Sequence, residues 1–272
     1  MAIRKRKTAA RTERDPIATL KDVLDAVAPR PADTAPTKAE RQQLSEEKRK
    51  YATRFADKMA VCLANGLRLR FPGLLPDRLG RGVESPAQSV RGPKKLDVNY
   101  STPQLGLGFG ISLKAVHFPE HGTRGYTHNT KRNDEELRAE ASGYHQRQPY
   151  AVMIAVVFLP DEACDDGTPR SPSSFGKWVE YLRPLSGREN AHDDIDRFER
   201  VFICLYARDG HRMEFFDVDT APPKRARPWR LLTQQKFIDE VELSFLRRNF
   251  ANFEWADDER VDTDEPPPDD EA

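Results

Sequence analysis

Cysteine is scarce: Cys62, Cys164 and Cys204 stand far apart, are odd in number and form no C-x-x-C pair. That pattern offers no disulfide framework and fits a reducing cytoplasm. Long apolar runs are missing as well. The longest, YAVMIAVVFLP at 150–160, falls short of the roughly eighteen residues of a membrane helix and suits a buried strand, so no membrane association is expected. The first residues, MAIRKRKTAARTER, are basic but lead into no hydrophobic signal segment, and a cytoplasmic location is expected. Nor is there net charge, since 44 basic residues balance 44 acidic ones. The balance hides an asymmetry: residues 254–272 hold ten acids against Arg260 alone, and residues 15–253 are mildly basic at +4. Such a body is compatible with a polyanionic partner without demanding one.

Common catalytic motifs are equally absent. GLGFG at 106–110 lacks the spacing of G-x-G-x-x-G and enters a strand rather than a helix, so a flexible turn is expected. Ser173 and Ser174 have no G-x-S-x-G context for acyl transfer. Among His117, His121 and His128, Pro119 and Gly122 forbid the helix that would align the first two for zinc.

What the chain does contain is α/β patterning. Residues 1–37 read as a basic arm with a short amphipathic helix, capped by Asp15, opened by Pro16 and striped with Ile17, Leu20, Leu24 and Val27, followed by a linker at 29–37. Residues 38–253 form the main domain and 254–272 an acidic, proline-rich tail too polar to fold. Within the domain, Tyr51, Phe55, Met59, Cys62 and Leu63 mark a core helix over 38–70, and 71–93 reads as a Pro/Gly-rich loop. A hairpin over 96–118 precedes a helix from Asp134 to Gln148, with Asn133 as its cap. Ala151–Leu159 is apolar at every position, as expected of a central strand covered on both faces. A helix at 173–183, a second hairpin about Asp209-Gly210 and a last helix at 234–249 complete a mixed central sheet flanked by helices.

Two charges in the first hairpin demand an explanation. Strand alternation places Ile111, Leu113 and Ala115 on one face and Ser112, Lys114 and Val116 on the other. In LDVNYS it places Leu96, Val98 and Tyr100 opposite Asp97, Asn99 and Ser101. Pairing the apolar faces gathers Asp97, Asn99, Ser112 and Lys114 in one polar patch. Beside a fully apolar strand these charges are partly desolvated, which is costly unless they pair or hold a metal.

An Asp-bearing strand, a turn, a strand ending in x-x-Lys, a helix and a buried strand together resemble the PD-(D/E)xK nucleases, the fold of many restriction endonucleases. The resemblance spans about residues 40–160 and implies a metal-dependent endonuclease acting on DNA, in prokaryotic restriction or phage defence. It implies Mg²⁺, with Mn²⁺ as an alternative, and a lysine that orients or activates water. Leu96 stands where the family has proline, and Ser112 replaces the acid of (D/E)xK. Variants with S-x-K draw their second carboxylate from the following helix, and here NDEELRAEASGYHQRQ offers Glu135, Glu136 and Glu140. Asp97, Lys114 and Glu140 are therefore the expected catalytic residues, with Asp97, Glu140 and Glu136 as metal ligands. Glu136 would also fit a capping box behind Asn133, and Glu84 is a further acid within reach in sequence. Ser112, Asn99, Lys94, Lys95, Arg124, Lys131 and Arg132, with Arg91, are the candidate substrate contacts. Double-strand cleavage would favour a homodimer or a defence-complex subunit. The alternative is a catalytically inactive nuclease-like fold that binds nucleic acid or a partner.

Overall fold

The computed structural model describes residues 19–27, 38–103, 106–119, 125–127 and 129–249. The expected Asp15 cap, the 29–37 linker, Arg124 and the acidic tail lie outside the described residues. The elements are α1 (Leu20–Val27), α2 (Lys38–Leu67), β1 (Ser85–Ser89), β2 (Gly92–Leu96), β3 (Val98–Thr102) and β4 (Gly106–Ala115). They continue with α3 (Thr130–His145), β5 (Val152–Pro160), α4 (Ser174–Leu182), β6 (Arg200–Tyr206), β7 (Met213–Asp217) and α5 (Gln234–Asn249).

Five strands form one mixed sheet in the order β3-β4-β5-β6-β7, parallel from β4 to β6 and antiparallel at both outer pairs. As its sequence implies, β5 is central and buried throughout. Its alternate side chains feed two cores. Val152, Ile154, Val156 and Phe158 pack with α2 and α5, while Met153, Ala155, Val157 and Leu159 pack with α3 and α4. Each such buried side chain contributes on the order of 1.5–3 kcal/mol, so this strand anchors both layers. Single bridges close the outer strands: Leu75 exchanges both backbone bonds with Asn99 of β3, and Leu232 does the same with Phe215 of β7. Among the described residues no helix is long and apolar enough to cross a membrane.

Several local expectations need correction. The first described helix begins at Leu20, where Thr19 caps it reciprocally with Asp22: the Asp22 N–H donates to Thr19 Oγ1 and the Thr19 N–H to the Asp22 carboxylate. Part of the supposed 71–93 loop is the β1–β2 hairpin, whose turn needs Gly92 at φ 99°. Asp97 lies outside any strand, in a bend between β2 and β3. That bend reverses the facing, so Leu96 packs on the α3/α4 side while Val98 and Tyr100 pack on the α2/α5 side. GLGFG is no flexible turn but the first half of β4. Close packing explains Gly110, where a Cβ would collide with the Leu96 side chain, and a φ of 70° explains Gly106. Helix α3 starts a turn earlier than Asn133, at Thr130 after Asn129 in a left-handed conformation (φ 64°).

A buried ionic cluster ties β5, β6 and α5 together. Glu199 Oε1 accepts from Arg188 Nη1 at 2.8 Å and Arg248 Nη2 at 2.9 Å, while Glu199 Oε2 accepts from the Met153 N–H at 2.6 Å. Two guanidinium groups on one carboxylate make Glu199 the keystone, because either would be an uncompensated buried charge without it.

Candidate active site

Lys114 is the penultimate residue of β4, opposite Val157 of the parallel β5. Alternation turns its side chain toward α3, where Glu136 and Glu140 lie one helical turn apart. Lys114 Nζ donates to Glu140 Oε1 at 2.8 Å and approaches Glu136 Oε2 at 3.5 Å. The Lys114 side chain is only 18% exposed. Burial disfavours its charge, but attraction to Glu140, Glu136 and Asp97 more than compensates, and its pKa is raised.

Asp97 completes the group from the other side. Its Oδ2 accepts from the Leu113 N–H at 2.7 Å, fixing the carboxylate against β4 next to Lys114. Burial pushes its pKa up to about 6; the Leu113 hydrogen bond and Lys114 pull it down, while repulsion from Glu140 and Glu84 pushes it up. Tyr144, one turn beyond Glu140, donates to the carbonyls of Lys94 and Lys95 at 3.2 Å each. Burial, then the charges of Glu140 and Asp97, raise the pKa of its phenol. The carboxylates of Asp97 and Glu140 therefore share one electrostatic neighbourhood with Lys114.

Glu136 is not the capping residue that Asn133 would have made it. It sits well inside α3 and bridges Arg132 at 2.7 Å to Lys114. Burial opposes ionisation, but Arg132 and Lys114 outweigh it and lower its pKa. Ser112 faces the same side, 1% exposed, and its hydroxyl has no hydrogen-bond partner among the described residues.

The other expected contacts are mostly engaged within the protein. Asn99 is buried and donates to Ser85 Oγ and the Pro86 carbonyl, so it holds β1 against β3. Lys94 reaches back to the Ala139 carbonyl at 3.3 Å, and Lys95 pairs with Glu84 at 2.6 Å. Lys131 is exposed and pairs loosely with Glu135 at 3.9 Å, while Arg132 is held by Glu136. Arg91 is exposed. His117 accordingly has a structural place: its Nδ1 meets the Tyr206 hydroxyl at 2.8 Å, and burial lowers its pKa to about 3. Asp57 of α2 is the acid that sequence reasoning missed. Burial and then repulsion from Glu84 raise its pKa, and no local motif signals that influence.

Asp97 and Glu140 are oxygen donors of the kind that a hard divalent cation takes. Asp97 retains Oδ1 and Glu140 retains Oε2 beyond the contacts described, and Mg²⁺ accepts two carboxylates with water and phosphate oxygens filling the remaining positions. Among the described residues no group of three His, Cys, Asp or Glu side chains is placed to hold a metal ion. No family model, curated protein or solved structure shows a significant match to the chain.

Proposed function

We propose that this protein is a metal-dependent endonuclease acting on DNA, with Asp97, Lys114 and Glu140 as its working residues. The observation that carries the reading is a largely buried lysine at the end of β4, held 2.8 Å from a helix carboxylate beside a half-buried aspartate. Asp97 and Glu140 would hold Mg²⁺ or Mn²⁺, which when bound supplies positive charge against the scissile phosphate and activates water. Lys114, kept protonated by its acidic neighbours, would offer N–H donors to the charge that develops on the phosphate oxygens. Glu136 would hold Lys114 in place between the two turns of α3. Arg91, on the surface ahead of β2, would contribute charge toward a backbone phosphate.

A second reading, a nuclease-like fold without activity that binds nucleic acid or a partner, is favoured by one observation. Ser112 stands where an acid belongs in the resembling family, and Lys114 is already paired with Glu140. Supercoiled plasmid incubated with Mg²⁺ and either the natural chain or Lys114→Ala decides between them. Nicking lost in the variant supports the enzyme; equal nicking by both, or none by either, removes it.

A further inference from the structure

Between β7 and α5 the chain runs through DTAPPKRARPWRLLT, residues 219–233. This segment is fastened at several points. Its Lys224 carbonyl accepts from the Ser173 N–H at 2.9 Å, Leu232 bridges Phe215, and Pro228 is buried. Arg227 pairs with Asp161 and, at 2.8 Å, with Glu214. Asp161 directly follows β5, so this tie reaches the same end of the sheet as Lys114.

On that fastened frame one side chain that faces water, an indole, is not one a folded surface usually leaves bare. Trp229 is 80% exposed, and the Arg230 guanidinium lies 4.3 Å from its ring centroid. Lys224, Arg225 and Arg230 are exposed, with no acidic partner among the described residues. Beside the indole lies a cleft of about 340 Å³, walled by Phe216, Pro222, Pro223 and Pro228. An indole held open, cations without counter-charges and an apolar slot next to them match a nucleic-acid strand: a base can stack while phosphates meet the cations.

We infer that the 219–233 segment is a binding site for single-stranded nucleic acid, with Trp229 as the stacking platform and Lys224, Arg225 and Arg230 as phosphate contacts. The inference does not depend on the nuclease reading. An acidic peptide without aromatic residues could satisfy the cations but would leave the open face of the indole unstacked.

The test is fluorescence anisotropy of a labelled twelve-nucleotide oligo-dT with the full chain in EDTA, which prevents any cleavage. Trp229→Ala, at an exposed position, is expected to weaken binding about fivefold or more. Lys224→Gln with Arg225→Gln is expected to flatten the salt dependence by about 0.7 per charge removed. Unchanged affinity in Trp229→Ala, or poly-glutamate competing as well as unlabelled oligo-dT, overturns the assignment. Circular dichroism of each variant checks folding, and retained affinity in Lys114→Ala separates this site from the candidate active site.

Discussion

Replacing Asp97 by Asn should make the metal-free protein more stable at pH 8. The asparagine amide keeps an oxygen for the Leu113 N–H but cannot ionise, so it imitates the protonated acid. Burial lifts the Asp97 carboxyl from its ordinary 3.8 to about 6. Between these values the folded chain binds a proton that the unfolded chain has released, so stability falls as pH rises from about 4 through 6. The difference corresponds to about 3 kcal/mol above pH 6, as an upper figure for a perfect mimic. In a domain of this size that equals roughly 6–12 °C in Tm. Thermal and urea denaturation in EDTA should show Asp97→Asn ahead of the natural chain at pH 8 and the two converging towards pH 4. A variant less stable at pH 8, or a gap independent of pH, would show that Asp97 is not held against its charge. The same linkage makes divalent cations compete with a proton. Mn²⁺ affinity, measured by calorimetry, should rise about tenfold per pH unit below 6 and flatten above it.

Four further outcomes follow from the geometry. Glu140→Gln should reduce Mn²⁺ uptake more than Glu136→Gln, because Glu136 is already engaged by Arg132; calorimetry that ranks them in reverse would move the ligand role to Glu136. Glu199→Gln leaves two buried guanidinium groups uncompensated and should cost about 3–5 kcal/mol in urea denaturation. Gly110→Ala should cost about 1–3 kcal/mol through collision with Leu96, and adding Leu96→Ala should cost less than the two separate effects combined. His117→Phe should weaken the rise of stability between pH 3 and 6.5, because the lowered pKa of the buried imidazole makes the unfolded chain bind the proton first; denaturation midpoints at pH 4 and 7 check it.

The elements legible in the sequence were those whose periodicity is strong. Strand β5, apolar at every position, announced itself as central, and the β6–β7 pair about Asp209-Gly210 and helix α5 fell where they were expected. Strands β1 and β2 did not, since Ser-Pro-Ala-Gln-Ser and Gly-Pro-Lys-Lys-Leu lack β-branched residues and bury only Ala87 and Leu96 among their apolar side chains. A cap signal at Asn133 was misleading because Asn129 enters α3 through a left-handed conformation instead. Within the site, strand parity set the face that Lys114 occupies, while its meeting with Glu136 and Glu140 was expected from the resemblance to S-x-K nucleases rather than from any local pattern. The setting of Asp97 was hidden because a single-residue bend changes which face its neighbours occupy. The Arg188–Glu199–Arg248 cluster joins residues too distant in sequence for any local pattern to reveal.

The two bridges made by Leu75 and Leu232 bear on how this molecule can assemble. Each engages a five-residue border strand, at its second residue in β3 and its middle residue in β7, and so interrupts the row of free amides and carbonyls that a neighbour could zip onto. Growth by shared sheet, the commonest route to runaway self-association in β structures, is therefore obstructed on either side. Among the described residues, two copies pairing through the border strands of the five-stranded sheet would first have to displace Leu75 or Leu232.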